Sequence, residues 1–170
     1  QSHFDVISPP GLLKLARLLL TSMNAWRSIN TPEMQRKLLW KAGLRGSFKP
    51  CVCEEECKAL DTLLALLCRM VTNARCAEYK DEVASIMCHT VSQCLESYAR
   101  DENRRAALSP VLATFFSRCQ SLDRDVVLGT LGSTFPSIVC DLIVTADSIP
   151  LRQQISSLLK IFCASPPTAK

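Results

Sequence analysis

Two consecutive stretches decide the fold: EEECKALDTLLALLCRMVTNAR at Glu54–Arg75 and AEYKDEVASIMCHTVSQCLESYAR at Ala77–Arg100. In each stretch, apolar residues recur three and four positions apart, which places them on one face of an α-helix. The segment Asn73–Cys76 leaves room for only a short connection, so the two helices must run antiparallel and bury their apolar faces against each other. These faces carry Leu60, Leu63, Leu64, Leu67 and Val71 in the first helix, and Tyr79, Val83, Ile86, Met87, Cys94 and Tyr98 in the second.

The composition extends this helical interpretation to the whole chain. Only 5 of the 170 residues are glycine, which leaves little material for the tight turns of an all-β fold. Leu, Ala, Arg, Lys and Glu, which favour helices, are abundant. The length fits a single domain, residues 1–170, and the start at Gln1 and the end at Lys170 suggest a fragment of a longer protein. No stretch is apolar enough to predict a membrane span.

Before the hairpin, the sequence predicts an extended lead-in over residues 1–8 and then two helices. The first covers Gly11–Ile29, and its apolar residues surround most of its circumference. Such a helix is packed on two or more sides, or has lost a neighbour. Thr31–Pro32–Glu33 then gives a capping hydroxyl, a proline and an acidic residue, which predict a second helix that runs to about Leu44.

After the hairpin, Asp101–Arg105 is predicted to be a short charged connection. The next helix carries Leu108–Cys119, and Ser109–Pro110 either starts it late or lies in its first turn. The apolar pattern that follows is interrupted near Ser133–Phe135, which predicts a kink or two shorter helices. A last helix opens at Ser148–Ile149–Pro150. The sequence therefore predicts an all-α fold of seven or eight helices.

Two segments resemble α-helical repeats. LDRDVVLGTLG at 122–132 resembles the inner helix of a HEAT repeat, and LRQQISSLLKI at 151–161 is similar to the final helix of an armadillo repeat. Helix pairs spaced about 40 to 47 residues apart are typical of such repeats. The resemblance implies a right-handed superhelical stack of antiparallel helix pairs, an armadillo/HEAT-like α-solenoid, which acts as a protein interaction scaffold.

Charge is unevenly distributed along the chain. The net charge is +6 over residues 1–50, −5 over 51–102 and +3 over 103–170. Lys37, Lys41 and Arg45 recur four residues apart, so they form one row on a helix face, which Lys49 extends. This basic face is the predicted binding site for an acidic or amphipathic segment of a partner protein. The tryptophans Trp26 and Trp40 are assigned to the site because tryptophan is enriched at interaction hot spots, and a place in the helical core is the equal alternative for both.

Binding of the nucleic-acid backbone by the same basic face is the alternative function. Phosphate contacts need only positive charge. The basic residues are not interleaved with aromatic side chains, as they are in single-strand binders, and no DNA-binding motif is present. We therefore favour a protein partner, and a solvated helix face is the other interpretation of the same charges.

Cys51, Cys53 and Cys57 form a C-x-C-x3-C cluster beside three glutamates. A zinc site needs four ligands, and a fourth could come from Cys76, Cys88 or His89 across the hairpin. The spacing lacks the paired C-x2-C of zinc ribbons, so we expect ordinary thiols and no metal or other cofactor.

No catalytic function is expected. Cys88 and His89 are neighbours on a predicted helix and so point in different directions, which does not suit a Cys/His nucleophile. We expect His89 to make an ordinary hydrogen bond. The sequence has two histidines, and no Gly-rich phosphate loop and no hydrolase motif occurs in it.

The ten cysteines predict an intracellular protein, nuclear or cytoplasmic. Most of them lie inside helical patterns, where a free thiol behaves as a small apolar side chain, and a chain of this length needs no disulfides to fold. The cysteines expected among apolar neighbours are Cys68, Cys88, Cys94, Cys119, Cys140 and Cys163.

Overall fold

The predicted central hairpin is present in the structure, a computed structural model. The structure describes residues 3–29, the single positions 33, 37 and 41, and residues 54–164. Within 3–29 and 54–164 there are eight α-helices, one 3-10 helix and no strand, which confirms the all-α prediction. The α-helices are α1 (His3–Val6), α2 (Pro9–Ile29), α3 (Glu54–Thr72), α4 (Lys80–Arg100), α5 (Glu102–Gln120), α6 (Arg124–Leu131), α7 (Phe135–Thr145) and α8 (Ile149–Cys163).

The connection of the hairpin is itself helical. Between α3 and α4 the chain forms the 3-10 helix Ala74–Tyr79, which starts where the side chain of Asn73 accepts a hydrogen bond from the Arg75 N–H. The buried Cys76 anchors this short helix to the core. The turn therefore packs like the helices it joins.

Side-chain caps set two of the later helix starts. Asp123 accepts a hydrogen bond from the Asp125 N–H at 3.1 Å, and Ser148 accepts one from the Leu151 N–H at 3.2 Å. These bonds satisfy N–H groups that a helix start leaves without partners. The predicted start at Ser148–Ile149–Pro150 is confirmed. The predicted interruption is also confirmed, because α6 and α7 meet at an angle of 89° across a break that contains Gly132 at φ 88°.

Three sequence predictions of helix boundaries were wrong, one of them the position of Pro110 at the start of its helix. Residues 3–6 form α1 rather than an extended lead-in. Phe4 is buried, and the guanidinium of Arg69 in α3 lies over its ring, 4.1 Å from the ring centre. This contact holds the segment against α3. The connection Asp101–Arg105 is reduced to Asp101 alone. The Asp101 carbonyl already accepts bonds from the Arg104 and Arg105 N–H groups, so α5 begins at Glu102 and Pro110 lies in its interior.

Alternate helices run in the same direction. Between α3 and α5, Cys57 contacts Ala107 and Asp61 lies 3.7 Å from Arg118, so both helices advance together. The pairs Ser109–Ser148 and Gln120–Gln154 show the same for α5 and α8. On the other side, Cys88 reaches Thr130 and Tyr98 reaches Thr145, which aligns α4 with the α6–α7 segment. The core lies between these two sets of helices.

No single helix among the described residues is long and apolar enough to span a membrane, although the bent pair α6–α7 passes that test by length and composition alone.

Candidate interaction surface

The predicted basic face is described at two of its four positions. Lys37 and Lys41 are both helical and exposed, so the i, i+4 row predicted from the sequence is present at these positions. Arg45, Lys49 and Trp40 lie outside the described residues. Trp26 belongs to α2, but its side chain lies outside the described part of the structure.

Glu33 is a member of this surface that the sequence analysis did not assign to it. Its carboxylate Oε1 lies 3.5 Å from the Lys37 Nζ, one helical turn away, and both side chains are largely exposed. An exposed pair of this kind contributes only a few tenths of a kcal/mol, and water and salt screen it. The sequence contains a signal for this ion pair, since Glu33 and Lys37 are four residues apart. The charge of Lys37 is therefore partly balanced, whereas Lys41 has no carboxylate partner among the described residues.

The apolar surface of α2 is only partly covered. Leu12, Leu13, Ala16 and Met23 are buried on the side that packs against α3. Leu15 and Leu18, by contrast, are 39% and 60% exposed. The excess apolar coverage predicted for this helix is therefore present as an exposed flank.

The opposite flank of α2 is polar and is attached to α4. There Arg17 forms a hydrogen-bonded ion pair with Glu82 of α4, and both side chains are about half exposed. The two flanks of α2 therefore differ in chemistry, since one is held by charge and the other exposes leucines.

The three candidate zinc ligands are not assembled in the described part of the chain. Cys51 and Cys53 lie outside it, and the Cys57 thiol contacts the carbonyl of Ala107 at 3.8 Å. No group of three or more His, Cys, Asp or Glu side chains with metal-site geometry occurs among the described residues.

As predicted, the side chains of Cys88 and His89 point in different directions. The Cys88 thiol donates to the carbonyl of Thr130 at 2.9 Å, whereas His89 is exposed and its Nε2 lies 2.9 Å from the Gln93 amide nitrogen. The expected ordinary hydrogen bond of His89 is confirmed. The two groups face different neighbours, so they do not form a nucleophile and base.

The six cysteines that were expected among apolar neighbours differ in burial, from fully buried through the half-buried Cys88 to exposed. Cys68, Cys94 and Cys119 are buried as expected, and burial raises the pKa of the Cys68 thiol to about 11. Burial, reinforced by the neighbouring Cys68, also raises the pKa of Cys119. Cys140 and Cys163 are exposed, so their expected apolar surroundings were wrong. Both lie on the outer sides of α7 and α8, off the buried positions of those helices.

Thiol reactivity should follow this difference in burial. At pH 8, a soluble disulfide reagent is expected to modify Cys140 and Cys163 rapidly, and Cys68 and Cys119 only when the protein unfolds, because the reactive species is the accessible thiolate. Peptide mass mapping after timed labelling checks this expectation. The variant Cys140→Ser/Cys163→Ser is the control and should lose these two fast sites. Rapid labelling of Cys68 or Cys119 in the native protein would contradict the described packing of α3 against α5.

Comparison with known proteins assigns the family. The family model described as "BIG2 C-terminal domain" matches residues 1–160. The chain belongs to the BIG2 C-terminal domain family. Curated relatives of this BIG2 C-terminal domain include brefeldin A-inhibited guanine nucleotide-exchange protein 1 of Bos taurus, 27% identical over 152 residues. The proteins of the same name from Rattus norvegicus and Homo sapiens are each 26% identical over 152 residues.

The matched region is a small part of those relatives. It covers 88% of this chain but only 8% of the length of each of them. No solved structure matches the chain. The family found is thus the BIG2 C-terminal domain, and the comparisons give no direct support to the armadillo or HEAT resemblance.

Proposed function

We propose that this BIG2 C-terminal domain is a noncatalytic interaction domain of a larger protein, and that its basic face binds an acidic or amphipathic segment of a partner protein. The observation that carries the proposal is the exposure of Lys37 and Lys41, one helical turn apart. A row of cations at this spacing matches carboxylates one turn apart on a partner helix. Arg45 and Lys49 extend the proposed row, and Trp26 and Trp40 supply its apolar anchors.

The proposed architecture is a right-handed superhelical stack, with α3, α5 and α8 in one layer and α4 and the α6–α7 segment in the other. It is supported by the common chain direction of α3, α5 and α8 in the first layer, and by the contacts that align α4 with the bent α6–α7 segment in the second. The contacts that define this direction join residues 34 to 57 positions apart along the chain. Helical repeats of about 40 to 47 residues would produce such spacings. A stack of this kind presents extended surfaces for partners.

The relatives' name refers to guanine nucleotide exchange, and we propose that this region does not itself carry out the exchange. Among the described residues, several charged side chains lie in ion pairs on the protein surface, such as Arg17–Glu82 and Arg100–Glu96. It would instead hold a partner against a longer protein of this kind. The free thiols of the eight described cysteines agree with an intracellular location, which is part of the proposal.

Reversal of the basic face should abolish most of the binding. The variant Lys37→Glu/Lys41→Glu/Arg45→Glu is expected to weaken binding of an acidic partner about tenfold or more, because it reverses three positive charges and a surface charge pair contributes roughly 0.2 to 1 kcal/mol. Affinity capture from a cell extract with the intact chain, compared with the variant, identifies partners that depend on this face. Fluorescence anisotropy with the captured partner then measures the loss.

The matched control is Lys14→Glu/Lys80→Glu/Arg100→Glu, which changes the net charge equally at three exposed positions elsewhere. It should retain binding. Equal affinities for the intact chain and the basic-face variant at low and at physiological salt would overturn the electrostatic part of the proposal. Tight, salt-dependent binding of duplex DNA that the same variant abolishes would favour the nucleic-acid alternative.

A further inference from the structure

A second charged surface lies at the opposite end of the chain, on the solvent side of α8. A shallow, open depression of about 540 Å³, which we call the α8 groove, lies on the exposed face of this helix. It is lined by Ile149, Arg152, Gln153, Gln154, Ser156, Ser157 and Lys160. Residues 149 to 160 span about 16 Å at the rise of an α-helix, so the groove has the length of about three turns. All the lining residues belong to α8, so the α8 groove is an open helix face rather than a pocket for a small molecule.

The lining is positively charged and contains no carboxylate. α8 carries Arg152 and Lys160 and has no Asp or Glu anywhere between Ile149 and Cys163. Neither cation forms an ion pair within the part of the chain that the structure describes. This distinguishes them from Arg17, Arg104 and Arg118, which pair with carboxylates of neighbouring helices. The two charges of α8 are thus available to a partner.

Arg152 is held in place before any partner arrives. Its Nε donates to the carbonyl of Ala146 at 2.6 Å, which fixes the guanidinium over the connection between α7 and α8. A fixed arginine loses less side-chain freedom on binding and presents a planar donor group to a carboxylate. The fixed guanidinium of Arg152 therefore favours directional hydrogen bonds to a carboxylate over a charge attraction without preferred geometry.

An apolar residue marks one end of the groove. Ile149 is 70% exposed although it lies in the first turn of a helix whose other large aliphatic side chains face the core. Between Ile149 and Lys160 the lining consists of amide and hydroxyl side chains, which can donate and accept hydrogen bonds. The α8 groove therefore combines one exposed apolar side chain, two cations and a lining of polar side chains.

We infer that this α8 groove binds an acidic amphipathic helix of a partner protein, whose apolar residue contacts Ile149 and whose carboxylates pair with Arg152 and Lys160. The occupant follows from charge complementarity along a helix face as long as three helical turns. This site is separate from the Lys37–Lys41 face and does not depend on it. The contact area is small, so the affinity belongs to the weak, transient class.

A labelled 18-residue peptide tests the inference by fluorescence anisotropy with the full chain. The probe is a helix that presents one leucine and two glutamates on the same face, at the spacing of Ile149, Arg152 and Lys160, with further glutamates on the rest of its surface. It is compared with a scrambled peptide of the same composition and with a peptide in which lysines replace the glutamates. The chain is expected to bind the acidic helix at least about tenfold more tightly than either comparison peptide.

Variants of α8 test whether the acidic helix binds at the α8 groove. Arg152→Glu/Lys160→Glu should weaken binding of the acidic helix about tenfold, and Ile149→Ser should weaken it about threefold. Lys14→Glu/Lys80→Glu carries the same charge change elsewhere and should bind as the intact chain does. Lys37→Glu/Lys41→Glu should retain the part of the binding that depends on α8, which separates this inference from the proposed function.

Three results would overturn the inference: no binding of the acidic helix, equal binding of the scrambled peptide, or full binding by both Lys160→Glu and Ile149→Ser. These two single variants alter exposed side chains and keep the Arg152 bond to Ala146, so a folding defect does not obscure the result. Cosedimentation with phosphatidylserine vesicles tests an anionic lipid surface as the alternative partner. Binding to vesicles that is lost in Arg152→Glu/Lys160→Glu, together with no discrimination among the peptides, would assign the groove to a lipid surface instead.

Discussion

Replacement of Arg104 by methionine is expected to lower the free energy of unfolding by about 3 to 5 kcal/mol, because it leaves a buried carboxylate without its cation. The Arg104 Nη1 lies 3.0 Å from the Glu56 Oε1, and the two side chains are only 14% and 8% exposed. The same guanidinium also reaches Asp101, at 3.5 Å. Urea denaturation followed by circular dichroism measures the loss.

A surface pair provides the matched control. Arg100 and Glu96 lie 2.8 Å apart, but their side chains are 78% and 56% exposed. The same substitution at Arg100 should cost less than about 1 kcal/mol, since water screens an exposed pair. Glu56→Gln combined with Arg104→Met should recover part of the loss, because no buried charge remains. Equal effects of Arg100→Met and Arg104→Met would contradict the burial of the pair.

The sequence predicted those elements whose signals are local. Ser148 and Pro150 specify the start of α8. Gly129, Gly132 and Pro136 specify the break between α6 and α7. The start of α5 was missed because the charged run after Arg100 looked like a connection, whereas the Asp101 carbonyl caps a helix there. Contacts such as Glu56–Arg104 join residues 48 positions apart, and no local pattern predicts them.

The two candidate surfaces differ in how far the sequence predicted them. The row of Lys37 and Lys41 follows from helical periodicity alone, so it was found without a structure. The α8 groove was missed because Arg152 and Lys160 lie eight residues apart among polar residues, a pattern that any solvated helix face shows. The available signal was Ile149, an apolar residue on the face of α8 opposite its buried positions.

Tyr98 links the central hairpin to the last two helices. Its side chain is fully buried, and its hydroxyl accepts a hydrogen bond from the Asp147 N–H at 3.1 Å and lies 3.5 Å from the Thr145 carbonyl. Arg105 lies over the ring, 5.6 Å from its centre, and donates to the Tyr98 carbonyl at 3.0 Å. One side chain thus joins α4 to the α7–α8 connection, on which the α8 groove depends.

Tyr98→Ala should lower the free energy of unfolding by about 3 to 5 kcal/mol, as expected for the loss of a buried aromatic ring. Tyr98→Phe keeps the ring and should cost about 1 to 3 kcal/mol, since the buried hydroxyl no longer satisfies the Asp147 N–H. The control Tyr79→Phe removes a hydroxyl from a half-buried tyrosine and should change stability by less than about 0.5 kcal/mol.

Amide hydrogen exchange locates the effect of Tyr98→Phe. The Asp147 amide should exchange faster in this variant, whereas amides in the middle of α3, far from the lost bond, should keep their protection relative to global stability. A selective effect would show that the hydroxyl holds the α7–α8 connection in place rather than merely filling the core. If Asp147 exchanged at the same rate in both proteins, the hydrogen bond would not position this connection. The geometry of Arg152 over Ala146 would then have to be maintained by the packing of α8 against α5 and α7.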